Sequence, residues 1–168
     1  MKKVILIMLV AVLGISTASA QFEKGAKTLS ANVTGLSLDF TKIKDVDDMQ
    51  IDFGFMAKGS YFVIDNLAVT AGLGFEYSKF GDLNSNAFAF EIGGKYYFYE
   101  ALYAGLAYEG LKIKDIDMES WGKLEVGYTY YITENVFFEP ALYFKQGFGD
   151  ATKDFSKFGL AVGIGVNF

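Results

Sequence analysis

The chain has no histidine, no cysteine and no arginine. Lack of histidine excludes Ser-His-Asp and Cys-His nucleophilic catalysis and removes the commonest metal ligand. Lack of cysteine excludes disulfides, thiolate metal sites and a cysteine-borne lipid anchor. Positive charge is scarce: 15 Lys stand against 20 Asp and Glu. That acidic balance argues against nucleic acid, which selects a basic face. Proline occurs once, at Pro140. After residue 20 no apolar stretch reaches the roughly 20 residues that a transmembrane helix needs.

Residues 1–20 read as a cleaved signal peptide. Lys2 and Lys3 give a positive start, residues 4–12 are an unbroken apolar run, and Ala18-Ser19-Ala20 supplies the small-residue cleavage site. The run is too short to span a bilayer. Cleavage is predicted before Gln21, which leaves residues 21–168 as one domain. Without Lys2 and Lys3, 13 lysines face 20 acidic residues, a formal charge of −7.

What the chain does have is aromatic and apolar bulk: 52% hydrophobic, 17% aromatic, with 19 glycines interspersed. A soluble domain of this size would have to hide that surface in a small core, whereas a membrane barrel turns it toward lipid. Apolar residues recur with period two in eight segments, near 28–40, 49–63, 67–79, 87–98, 102–112, 121–132, 136–145 and 156–168. In the first the phase slips at Gly35, which suggests a bulge. Tight turns at 65–66, 99–100 and 133–135 alternate with longer polar stretches at 41–48, 81–86, 113–119 and 147–155. Short turns on one side and longer loops on the other fit an all-β, eight-stranded antiparallel up-and-down transmembrane β-barrel, with both chain ends on the periplasmic side. Residues 42–47 recur as 112–117, Asp65-Asn66-Leu67 as Glu134-Asn135-Val136, and Phe80-Gly81-Asp82 as Phe148-Gly149-Asp150. These matches fit either a duplicated four-stranded unit or turns that draw on the same few residues.

The two faces of the strands differ. One carries Gly54, Gly72, Gly74, Gly93, Gly105, Gly127, Gly159, Gly163 and Gly165. Glycine weakens a strand and suits a narrow barrel interior. The same face holds Asp52, Lys58, Glu76, Glu91, Lys95, Glu109, Lys123, Glu125, Glu139 and Lys145. Buried charges persist when paired, so this pattern predicts an interior lattice of Lys–carboxylate pairs around ordered water. The other face is bulky, with Phe40, Phe53, Tyr77, Phe88, Tyr108, Phe144 and Phe158 near the loops. Tyr61, Phe98, Tyr130, Phe138 and Phe168 lie near the turns, completing the second of two girdles of the kind lipid interfaces select. Trp121, the only tryptophan, is read as an anchor at the outer end of the sixth strand. Pro140 forfeits a ladder bond that a bulge or a strand end would tolerate.

With the strands laid out, the chain resembles the small outer-membrane barrels of the porin-like OmpX, OmpW and OmpA-barrel type. Its last strand, residues 160–168, alternates apolar residues and closes on Phe168. That ending is similar to the signal read by the barrel-assembly machinery. The turn at residues 62–68 resembles one found in barrels of Bacteroidetes-type bacteria. The resemblance implies residence in the cell outer membrane, contact with lipid and lipopolysaccharide, a monomer, and no peptidoglycan-binding domain. It also implies loops that bind host or surface ligands.

Enzyme chemistry finds little purchase. Glu91 and Glu109 could act as paired carboxylates, but membership of the interior ion lattice is the reading kept, since structural ion networks perturb carboxylates as active sites do. Asp45, Asp47 and Asp48 in the first long loop, and Asp115, Asp117 and Glu119 in the third, are the residues that a hard cation would use. Their spacing completes no EF-hand loop, so a solvated acidic loop is the reading kept and no cofactor is expected. Two functions follow. One is a structural or surface-interaction barrel with a side-chain-plugged lumen. The other is a narrow porin-like channel for small hydrophobic or polar solutes, with Phe80, Tyr103 and Trp121 lining an apolar pocket.

Overall fold

The computed structural model describes residues 22–34, 50–80, 83–99, 101–113, 118–148, 152–153 and 155–168. The leader, the expected bulge at Gly35 and the acidic residues Asp45, Asp47 and Asp48 lie outside that set. Among the described residues there are nine strands: β1 (Lys27–Thr34), β2 (Gln50–Ile64), β3 (Leu67–Phe80), β4 (Leu83–Tyr99), β5 (Leu102–Ile113), β6 (Glu119–Tyr128), β7 (Tyr130–Tyr131), β8 (Val136–Gly147) and β9 (Ser156–Asn167). They form one sheet in the order β6-β5-β4-β3-β2-β1-β9-β8-β7, and β6 pairs again with β8. The sheet therefore closes on itself, and since β6 and β7 are successive parts of one stave, the result is the expected eight-stranded antiparallel barrel. Thr28 lies opposite Asn167, so the start of β1 and the end of β9 meet at the end that carries the tight turns. This is the turn end, and the opposite rim is the loop end.

Alternation decides which way each side chain points, because successive Cβ atoms leave a strand on opposite faces. Along β3, Val69, Ala71, Leu73, Phe75 and Tyr77 are exposed, while Ala68, Thr70, Gly72 and Gly74 are buried. The same rhythm runs through the other staves, and the apolar set is the outer one. Inside, two glycines mark close approaches. A Cβ on Gly127 would lie 2.5 Å from the Tyr103 hydroxyl, and one on Gly105 would lie 2.7 Å from Glu125 Cγ.

Three local features depart from the simple pattern. First, the stave made by β6 and β7 is interrupted at Thr129, although its register on β8 is unchanged: Gly127 faces Ala141 on one side of the gap and Tyr130 faces Phe138 on the other. The carbonyl of Val136 accepts from Ile132 N across this same ladder. Position 140, four residues further along, turns its nitrogen the same way. That position is Pro140, which has no N–H to give to the residue opposite, Tyr128. The strand break, rather than a bulge, absorbs the proline.

Second, β4 begins at Leu83, with Phe80 opposite Leu83, so most of the stretch 81–86 expected as a long loop is strand. Its residues Asn84, Ser85 and Asn86 are polar but pair in register with Lys79, Ser78 and Tyr77. Third, register slips once before each of two tight turns, between Phe62 and Ile64 and between Tyr97 and Tyr99. Asn66 takes φ +65° in the first turn, the only positive φ among the described non-glycine residues, which Asn tolerates at low cost. The turn at 133–135 is built differently, with the Thr133 hydroxyl accepting from Val136 N at 3.0 Å. The shared acidic-Asn pair at the two turns thus does not impose a shared conformation.

Candidate functional site

The barrel interior is where polar chemistry gathers. Lys58, Glu91, Lys95, Glu109, Lys123, Glu125, Glu139 and Lys145 are all buried. They arrive there from β2, β4, β5, β6 and β8, each by falling on the inward parity of its strand. Glu125 is the hub, 3.0 Å from Lys123, 3.8 Å from Lys95 and 3.9 Å from Lys58. Glu91 joins the same group, 2.7 Å from Lys58 and bonded by Lys123. Lys95 continues the chain to Glu139 at 2.5 Å. Lys145 and Glu109 form a neighbouring pair at 2.6 Å. Four lysines and four glutamates therefore share the buried interior. Burying an ion costs several kcal/mol unless geometry and partners offset it, and here each buried charge has an opposite one in reach.

Glu76, less buried, lies 3.6 Å from Lys157 of β9. Lys157 is absent from the lattice read from sequence, although its place one residue before the outward Phe158 marks it as inward. Asp52 stands opposite Ser78 in β2, and its side chain is outside the described set. Glu91 and Glu109, the paired carboxylates, are cross-strand partners, and each is bonded to a lysine of its own, Lys123 and Lys145 respectively.

Toward the turn end the lattice passes into hydroxyls and rings. Glu139 Oε1 accepts from Thr129 Oγ1 at 2.9 Å and from the Tyr97 hydroxyl at 3.4 Å. Lys95 Nζ sits 4.3 Å from the centre of the Tyr103 ring, a cation–π contact. Phe62, Tyr97, Tyr103 and Tyr143 cluster here with Ala68, Ala141 and Ala161, and Phe22 packs against them. Of these inward aromatics only Tyr103 was expected in the lumen; Phe62, Tyr97 and Tyr143 share its inward parity, which the preference of aromatic residues for the lipid face masks in the sequence.

Toward the loop end the interior is different. Trp121 is 3% exposed and packs with Met56, Ala87, Ala89 and Leu111. It faces the lumen, so the expected lipid anchor is corrected: position 121 shares its parity with Lys123 and Glu125. Its Nε1 donates to Glu119 Oε2 at 3.3 Å and Lys157 Nζ lies 5.2 Å from its ring. Glu119, read above as a loop residue, opens β6. No group of three or more acidic side chains suited to a metal occurs among the described residues.

Between the lattice and Met56 a cavity of about 10 Å³ is lined by Lys58, Glu91, Glu109, Lys123 and Lys145 among others. That is on the order of the space one water molecule needs. Chemically the described interior offers fixed, mutually satisfied charges.

Neither a protein-family model nor a curated protein matches the chain. Solved structures do. Neisserial surface protein A is similar with a TM-score of 0.58 at 13% identity, over 86% of this chain and 100% of that one. Ail, the attachment invasion locus protein of Yersinia pestis, gives 0.57 at 12%, over 86% and 99%. The N-terminal β-barrel domain of Pseudomonas aeruginosa OprF gives 0.55 at 17%, over 86% and 98%. At these identities the likeness is one of fold, and the fold is that of the small eight-stranded outer-membrane barrels.

Proposed function

We propose that the chain is an integral outer-membrane β-barrel of the OmpX, OmpW and OmpA-barrel type, with a structural or surface-interaction role and a lumen plugged by its own side chains. The observation that carries the closed lumen is the charge-balanced lattice, beside which lies a cavity of only about 10 Å³. Membrane residence is supported by the outer face. Leu73, Phe75, Ile92 and Leu106 are each at least 60% exposed, and they belong to a belt of exposed apolar side chains running through all the long staves. Soluble monomers rarely show a contiguous apolar patch beyond roughly 600 Å². Strands of 10–17 residues in β2–β6, β8 and β9 meet or exceed the roughly 9–11 that a tilted strand needs to cross a bilayer.

In this reading the partners are lipid and lipopolysaccharide around the belt, and the barrel-assembly machinery at Phe168. Phe168 is exposed and exchanges backbone hydrogen bonds with Lys27 at 2.8 and 3.4 Å. No reaction is assigned, since every buried carboxylate of the lattice is engaged by a lysine. Ail and Neisserial surface protein A carry attachment and surface in their names, which favours loop-borne binding.

The test is single-channel conductance of the refolded barrel in a planar bilayer, with heat-shifted gel migration as the control for folding. A folded barrel without openings is the expected result. Discrete, reproducible openings would overturn the plug and make a narrow channel for small hydrophobic or polar solutes the better reading.

A further inference from the structure

Residues 22–26 form no strand, yet they are fixed at each step. The Phe22 carbonyl accepts from Asn66 N at 2.8 Å, Gly25 N donates to the Phe62 carbonyl at 2.8 Å, and the Ala26 carbonyl accepts from Phe62 N at 3.0 Å. Lys24 N donates to Asp65 Oδ1 at 2.9 Å. Gly25 makes the bend at φ +97°, a conformation that favours glycine. This path carries the Phe22 ring over the turn-end mouth. The ring stacks on Tyr97 at 4.2 Å and 28°, and lies 5.9 Å from both Phe62 and Tyr131.

On one side of the ring is a cavity of about 510 Å³, bordered by Phe22, Tyr97, Thr129 and Tyr131. Tyr97, on which the ring stacks, and Thr129 border this cavity, and both hydrogen-bond Glu139, with Lys95 paired behind it. The ring thus caps the residues that hold the first ions of the lattice. The strap precedes the paired strands: β1 pairs with β2 from Lys27 and with β9 from Thr28. Its hydrogen bonds do not reach any lattice residue: they go to Phe62, Asp65 and Asn66. Across the mouth, toward Tyr131, ring contacts alone hold it.

The geometry points to a second and separable seal: the 22–26 strap is a stopper whose Phe22 ring closes the turn-end mouth over the ion lattice. This rests on the closed-lumen reading and adds that strap and lattice exclude water independently. Loss of lattice charges does not release the strap, and loss of the ring exposes Glu139 and Lys95 without breaking their pairing.

The absence of cysteine makes a clean reporter available. Ala141 is buried in the cluster against which Phe22 packs, so Ala141→Cys places one thiol behind the ring. The refolded variant is exposed to a charged, membrane-impermeant methanethiosulfonate reagent. Slow modification is expected with Phe22 in place, and also with Phe22→Tyr, which keeps the ring, or with Lys123→Ala, which disrupts only the lattice. Phe22→Ala should speed it by about tenfold or more, the factor expected when contacts worth roughly one or two aromatic pairs are lost. Asp65→Ala, which severs an anchor and leaves the ring, should speed it severalfold. Heat-shifted migration checks that each variant is folded. Equal rates in the Phe22→Ala and parent backgrounds would overturn the stopper, as would fast modification with Phe22 intact. Conductance through the unmodified barrel would instead overturn the closed lumen, so the two failures are distinguishable.

Discussion

Glu125 is the residue on which the interior turns. Three lysines lie within 3.9 Å of its carboxylate, and without it Lys95 would keep Glu139 while Glu91 alone would have to balance both Lys58 and Lys123. Glu125→Gln should destabilise the folded barrel by about 3–5 kcal/mol, the cost of leaving a buried charge without its partner. The urea midpoint of unfolding from lipid vesicles measures this. A shift below about 1 kcal/mol, the size of an exposed pair, would mean that water already screens the lattice. Trp121 gives a second check at this scale. Being the only tryptophan and 3% exposed in the lumen, it should keep its emission when the barrel is placed in brominated lipids. Strong quenching would put the ring in the bilayer. Its inward position also shows what the sequence made legible. Parity with Lys123 and Glu125 assigned position 121 to the lumen, whereas the interfacial preference of tryptophan argued the opposite, and in a strand the pleat wins because a one-residue flip would turn every neighbour over.

At the scale of elements, alternation located the eight staves and their facing, because a barrel with an apolar outside and a polar inside writes its period on both faces. What it did not locate were features without a period. The β4 start at Leu83 is polar and carries no alternation, so only its pairing with β3 identifies it as strand. The strap at residues 22–26 has five residues and one ring, too little for any pattern to emerge. The gap at Thr129 follows from a visible proline, but sequence could not say whether a bulge or a break would absorb it. Pro140→Ala restores the missing N–H opposite Tyr128, and the shared register on either side of the gap places a carbonyl ready to accept it. A gain of about 0.5–1.5 kcal/mol is expected, the net worth of one hydrogen bond. Slower amide exchange of Thr129 and Tyr130 should accompany it, since the repaired ladder opens less often. Unchanged exchange there would mean that the break is held by the Thr129–Glu139 bond rather than by the proline.

At the scale of the whole molecule, the lattice and the rings beside it form one charge-balanced interior among the described residues. Its buried charges number four of each sign among the described residues, which has a consequence for its behaviour in an electric field. Voltage does work on a protein in proportion to the net charge it displaces, about 2.3 kcal/mol per elementary charge per 100 mV. A collective shift of these eight groups carries no net charge, so an electric potential along the barrel has no handle on the lattice as a whole. The barrel should stay shut with equal ease at either polarity, and applied voltage should leave its conductance trace flat.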